Sequence, residues 1–268
     1  MHITAIAFDM DGTLLDGQSR ITPYTERVLQ QALAQGIAVI PASGRAPASM
    51  RKYLEQLQTG LPYIACNGAT LVGADHQILE ELTIPNEIAR EFVTYMQQQG
   101  CYVQTYHGDA FYYACECRHS EDYKHSSGME GVAVDDLNAF LTFCPPKLLA
   151  VDDPEKIARL YPLAIERFKD RMTLTMSAPY FLEALPLGAT KGDGLRRLSK
   201  WLPIDPETLL TFGDSLNDIA MIEYAAHGVA MDNAREETKR AARYVCLPNT
   251  EDGVARFIEQ HVLQGVTV

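Results

Sequence analysis

Three apolar runs, Ile3–Phe8, Ile37–Ala42 and Tyr63–Cys66, alternate with helical segments across residues 1–82, and this rhythm constrains the fold more than any other feature. The runs are apolar throughout rather than every second residue, which marks strands buried on both faces in a helix-covered parallel sheet. The first intervening helix is announced by Thr22 as N-cap, Pro23 at the first helical position and Glu26 in the first turn. Val28, Leu29, Ala32 and Leu33 then make an apolar stripe, and Gly36 ends it. A second helix should run through about Leu57.

Near Leu82 the pattern changes to a mixed one. Helices are expected at Pro85–Gln99 and Pro154–Phe168, and strands at Tyr102–Tyr106, Phe111–Cys115, Leu148–Val151, Met172–Ser177 and Phe181–Leu185. After Gly188 the first rhythm returns. It reads as a helix at Gly192–Leu202, a Pro206 helix start capped by Asp205, a strand at Leu209–Phe212, a helix at Ser215–Tyr224 and a strand at Gly228–Met231, then helices at Asn233–Ala242 and Asp252–Val262. The expected fold is therefore α/β: a Rossmann-like parallel-sheet core in two pieces, residues 1–82 and 188–268, with an inserted α+β cap domain at 83–187.

Charge narrows the partners. Thirty-five acidic against 23 basic residues give a net charge of −12, which disfavours an extended nucleic-acid backbone. No apolar stretch is long enough to span a bilayer, and Met1-His2-Ile3-Thr4 does not open a signal peptide, so a cytoplasmic location is expected. None of the six cysteines forms a Cys-x-x-Cys pair, and free thiols are expected. Cys115, Cys117, His119 and His125 have zinc-ligand identities, but their spacing matches no common finger or ribbon, and no zinc site is assigned.

The first strand leads into Asp9-Met10-Asp11-Gly12-Thr13. Side chains two apart on an extended segment point the same way, so Asp9 and Asp11 can face one small volume. Two carboxylates that close need a cation or a shared proton, and ligands bind open α/β sheets at the carboxyl ends of their strands. A solvated turn is the plain alternative, and a calcium loop fails because its alternating oxygen ligands and final Glu are missing. Three more clusters lie just after an expected strand or at a helix start: Ser43-Gly44, Lys191-Gly192 and Gly213-Asp214-Ser215-Leu216-Asn217-Asp218. Each alone reads as a loop, a surface lysine or a capped helix; in one parallel sheet all four can converge.

With these four motifs in order, plus Arg45 after Ser43-Gly44, Asn67-Gly68-Ala69 and Met231-Asp232-Asn233-Ala234, the chain resembles phosphatases of the haloacid-dehalogenase-like superfamily. The likeness is to the Cof-type group with a large α/β cap, over essentially the whole length. It implies Asp9 as nucleophile and Asp11 as acid and base, with Thr13 bracing the loop. It also implies a magnesium ion (Mg2+) held by Asp9, the Asp11 carbonyl and Asp214, with Asp218 supporting it. The Met10 N–H, Ser43, Gly44, Asn217 and Lys191 would bind phosphate, and Arg45 and Asn67 are candidates for reading the leaving group.

The implied activity is hydrolysis of a small phosphomonoester, a sugar phosphate or a phosphorylated cofactor such as pyridoxal phosphate, through an aspartyl-phosphate. A phosphomutase would use the same intermediate; a phosphate sensor would not need Asp9 and Asp11 together. Within the insert, Tyr106, His107, Tyr112, Tyr113, Arg118, His119 and Lys124 could line a pocket. The implied partner is a small phosphorylated metabolite.

Overall fold

The parallel strands of the computed structural model, which describes residues 1–263, form where the apolar runs predict them. Residues 264–268 of the expected core lie outside the described residues. In chain order the structure contains β1 (Ala5–Phe8), α1 (Pro23–Ala34), β2 (Ala38–Pro41), α2 (Pro47–Leu57), β3 (Tyr63–Ala65), β4 (Thr70–Val72) and β5 (Ile78–Glu81). It continues with α3 (Asn86–Gln98), β6 (Tyr102–His107), β7 (Ala110–Tyr113), α4 (Arg118–Ser127), β8 (Glu130–Ala133), α5 (Leu137–Phe140), β9 (Leu148–Val151), α6 (Pro154–Phe168), β10 (Met172–Thr175) and β11 (Phe181–Pro186). The last part holds α7 (Lys191–Leu198), β12 (Leu209–Gly213), α8 (Ile219–Tyr224), β13 (His227–Met231), α9 (Glu236–Ala241), β14 (Tyr244–Cys246) and α10 (Gly253–His261).

The core sheet has the order β14-β13-β12-β1-β2 and is parallel throughout. Its inner strands β12 and β1 are completely buried, and the helices lay apolar stripes on both sheet faces. Thr22 caps α1 as its sequence signals: its side chain accepts the Thr25 N–H. Beyond β2, a bridge from Ala42 to Ile64 brings β3 alongside, and β3 turns back into the small antiparallel sheet β3-β4-β5.

Residues 102–186 contribute every strand of a second sheet, of order β10-β11-β9-β6-β7-β8, antiparallel except where β7 meets β8. On one face α3 and α6 cover it with their own apolar cluster. The other face packs Tyr106, Phe111, Leu149 and Leu185 against Ala46, Cys66 and Ala69 of the core loops. The second sheet thus sits over the edge where the parallel strands end.

Several elements differ from expectation. The Ser215–Tyr224 helix is broken into a single 3-10 turn at Leu216–Asp218 followed by α8, because Asp218 folds back onto the backbone of its own loop. The Asp205-capped start gives only the turn Pro206–Thr208. The hairpin β4–β5, helix α4 and strands β8 and β14 were not expected.

Candidate active site

β1 ends at Phe8, earlier than strand alternation through Asp11 requires, and the backbone then coils through residues 10–14. Gly12 makes this turn possible: its φ is +81°, and a Cβ there would lie 2.7 Å from the Asp214 carboxylate. Asp9 and Asp11 take different partners. Asp9 is buried at the strand end and accepts a hydrogen bond from the Lys191 ammonium. Asp11 is half exposed and held by a two-pronged ion pair, Arg45 Nε at 2.6 Å and Nη2 at 2.7 Å. Both still face one cavity. They meet there through the coil and Arg45, not through strand periodicity.

Lys191 opens α7, where Thr190 is the N-cap. A cation is misplaced at a helix N-terminus unless anions stand beside it, and here two do. Its Nζ donates to Asp9 and to Asp218 Oδ1 at 2.6 Å, and the side chain is wholly buried. The other oxygen of Asp218 accepts the backbone N–H groups of Asp214 and Ser215 at 2.9 and 3.0 Å. Asp214 is fixed in turn by the Thr13 hydroxyl, which donates to it at 2.7 Å.

One oxygen from each of Asp9, Asp214 and Asp218 lies within 4.8 Å of the other two, and among the described residues no other His, Cys, Asp or Glu group gathers so closely. The Asp11 carboxylate is outside this group. Three carboxylates against one ammonium leave two negative charges uncompensated. Burial pushes the Asp9 carboxyl well above its ordinary range, against the pull of Lys191 and helped by the charges of Asp218, Asp214 and Asp11. Burial and Asp218 likewise push Asp214 up to about 7, though Thr13 opposes the shift. Burial works against the Lys191 charge, but Asp218 and Asp9 keep it protonated. Two uncompensated charges on hard oxygen ligands fit a divalent cation.

One side of the cavity is made by the loop after β2. Ser43 is buried, its Oγ accepting the Arg45 N–H at 3.2 Å, and Gly44 and Asn217 stand beside it. Met10 is buried beneath. Asn217 donates to Asn67 Oδ1 at 2.8 Å, so Asn67 faces the same polar group from behind. Arg45 also donates to Ser49 at 2.8 Å and to the Ser126 carbonyl at 3.4 Å, joining the core to the end of α4.

The cavity, about 230 Å3, is closed by the insert through Tyr123 and Ser127 of α4, Lys147 and Tyr180 just before β9 and β11, and Glu183 of β11. None of the seven insert candidates from the sequence lines it. Tyr106 is buried and accepts from Gln104 while its hydroxyl reaches Tyr123; Tyr112 stacks on Phe140, His107 lies against Phe143, and Tyr113 and Lys124 both bind Glu116. Arg118 and His119 line a neighbouring depression that shares Tyr123 and Tyr180 with the main one. Composition could not separate these roles. Lys147 and Glu183 did leave a signal, as charged residues at the start of and inside apolar strands.

A buried carboxylate cluster with one lysine, at the carboxyl edge of a parallel sheet and under a mixed cap sheet, defines a class of phosphoryl-handling hydrolases. The chain belongs to the haloacid dehalogenase-like hydrolase family, whose model matches residues 6–258, and it is a phosphoric monoester hydrolase. It is 30% identical over 285 residues to the phosphatase YwpJ of Bacillus subtilis, covering 96% of this chain and 99% of that protein. The 5-amino-6-(5-phospho-D-ribitylamino)uracil phosphatase YwtE of the same organism is 29% identical, with 95% and 96% covered. A haloacid dehalogenase-like hydrolase from Bacteroides thetaiotaomicron superposes with a TM-score of 0.85 at 28% identity, covering 96% of this chain and 99% of that one. Phosphatases of this superfamily generally use a divalent metal, in keeping with the aspartate cluster.

Proposed function

We propose that the protein hydrolyses a small phosphomonoester with magnesium through an aspartyl-phosphate. The observation that carries this reading is the convergence of Asp9, Asp214, Asp218 and Lys191 beneath the cavity formed by Ser43, Gly44 and Asn217. Asp9, Asp214 and Asp218 would hold the Mg2+, together with the Asp11 carbonyl, and the ion when bound supplies positive charge against the phosphoryl oxygens.

An Asp9 oxygen forms a bond to phosphorus as the ester P–O bond breaks. Asp11, which takes up a proton from solvent as it leaves Arg45, gives that proton to the departing alkoxide, then takes one from the water that attacks the aspartyl-phosphate, releasing phosphate and restoring Asp9. Arg45 holds Asp11 at the cavity edge; on substrate entry Asp11 turns to the ester oxygen, and Arg45 is left facing the leaving group. The Ser43 hydroxyl, the N–H groups of Met10 and Gly44, and Asn217 donate to phosphoryl oxygens. Lys191 supplies fixed charge, and Thr13 holds Asp214 in place.

Residues 1–82 and 188–268 act as the catalytic core and 83–187 as the cap that selects the leaving group. This division is supported by the separate sheets and apolar clusters. The substrate class is a sugar phosphate or phosphorylated cofactor such as pyridoxal phosphate, in line with the small size of the cavity and with the ribityl phosphate named for the YwtE relative. The six free cysteines fit a cytoplasmic setting. Phosphate release should be screened across sugar phosphates, nucleotides and pyridoxal phosphate, with magnesium and with excess chelator. No release from any of them, or full release under chelation, refutes the reading.

A further inference from the structure

Lys147 and Glu183 form an ion pair at 2.6 Å with only 3% and 2% of their side chains exposed. Lys147 stands two residues before Leu149, and Glu183 is the cross-strand partner of Leu149. All three share the sheet face turned toward the core. Burial opposes the Lys147 charge, and Glu183 restores it, raising its pKa. Buried ion pairs seldom add net stability, because desolvation consumes much of the attraction. This one has further bonds, and they all leave the cap.

The first arm starts at Lys147 Nζ, which donates to the Gly44 carbonyl at 2.7 Å. That carbonyl belongs to the same peptide unit as the Arg45 N–H, which donates to Ser43 Oγ at 3.2 Å. An ammonium on the oxygen side polarises the peptide and strengthens its N–H as a donor. Ser43 Oγ then holds an incoming bond, and its own proton is free for a ligand. The second arm starts at Glu183, whose second oxygen accepts from Asn67 Nδ2. Asn67 Oδ1 accepts from Asn217 Nδ2 at 2.8 Å, which fixes that amide and leaves its other N–H to offer. Both arms end on groups that the preceding section assigns to phosphate.

We propose that Lys147 and Glu183 are positioning residues that couple the seating of the cap to the orientation of Ser43 and Asn217. The phosphate cradle is complete only when the cap sheet rests on the core loops. When it lifts, the Gly44 carbonyl and Asn67 lose their partners together. This rests on the phosphatase reading of the same cavity.

Removing Lys147 alone leaves Glu183 buried and unpaired and can impair folding, so the decisive variant removes both charges, Lys147→Met with Glu183→Leu. Its melting temperature serves as the folding control. Calorimetry with inorganic phosphate in magnesium buffer should show at least a tenfold loss of affinity. For p-nitrophenyl phosphate and a hexose phosphate, kcat/KM should fall by factors that agree within threefold. Added to Ser43→Ala, the double change should cost clearly less than it does in the unaltered protein, since its Ser43 arm then acts on a hydroxyl already removed and only the Asn217 arm remains. Unaltered phosphate affinity, a loss confined to the hexose ester, or effects that multiply with Ser43→Ala would each overturn the coupling. If the unaltered protein releases phosphate from no ester, the phosphatase reading falls, while phosphate affinity alone still decides the coupling. Absence of phosphate binding by the unaltered protein would overturn it as well.

Discussion

Asp9 is an ionisable group in conflict with its surroundings: burial and three neighbouring carboxylates oppose its charge, and Lys191 alone supports it. Asp9→Asn removes that conflict while keeping the shape. Turnover should fall by at least about a thousandfold, as for loss of a nucleophile, while the melting temperature stays level or rises. Phosphate release and thermal unfolding measured on one preparation check both parts; near-normal turnover would remove Asp9 from the nucleophile's role. The same conflict sets a pH dependence. The metal-free folded protein keeps a proton on Asp214 up to about 7, whereas the ordinary value for Asp is 3.8. Between those values the folded state binds more protons than the unfolded chain, so this site makes stability fall as pH rises, levelling above 7. A cation bound by these carboxylates competes with the protons and favours the folded state. Magnesium should therefore raise the melting temperature more at pH 8 than at pH 6, which lie about equally far above and below the Asp214 value of about 7. An equal rise at the two values would count against the aspartate cluster as the metal site.

The elements best legible in the sequence are those with one dominant signal. The apolar runs gave β1, β2, β12 and β13, and Thr22 with Pro23 fixed the start of α1 to the residue. The misses share a cause, which is that tertiary context outweighs local pattern. Helix α4 is polar nearly all round and buries only Ser120 and Ser127, so it shows no stripe, and β8 and β14 are short edge strands with partial burial. The site was legible as a set of residue types because its motifs fall where strands end. Its geometry was not. Asp9 pairs with Lys191 and Asp11 with Arg45, partners far away in the chain, and Lys147 and Glu183 meet only through strand register. Gly12→Ala tests the coil directly, since its φ and its distance to Asp214 both exclude a Cβ. Strain of about 1–3 kcal/mol is expected, with the Asp214 carboxylate displaced. Magnesium affinity measured by titration should drop at least tenfold, and unchanged affinity would mean the coil adapts without moving Asp214.

At the scale of the whole molecule, two sheets with separate cores meet over one cavity, and the chain crosses between them near Leu82-Thr83 and Leu187-Gly188. Gly188 has a φ of +80° with open space around it, and Leu187 is 58% exposed, so this crossing is packed loosely enough to act as a hinge. In the proposed reaction the core residues handle the phosphoryl group, which every phosphomonoester shares. In that reaction the leaving group projects away from Asp9 toward Tyr123, Tyr180 and Ser127 of the cap, which join Arg45 in telling one ester from another. Tyr180 is the sharpest case, because its ring stands 46% exposed at the cavity rim, 4.5 Å from that of Phe181. Tyr180→Ala should therefore change the ratio of kcat/KM between preferred and poor substrates by about 1–3 kcal/mol, or up to roughly a hundredfold. A small ester such as methyl phosphate, too short to reach the rim, should lose far less. That outcome would contrast with Lys147 and Glu183, whose loss should depress all esters alike because they act through the cradle. If Tyr180→Ala also lowers every substrate by one factor, the cap serves as a lid, and discrimination falls to Arg45, Asn67 and the core loops.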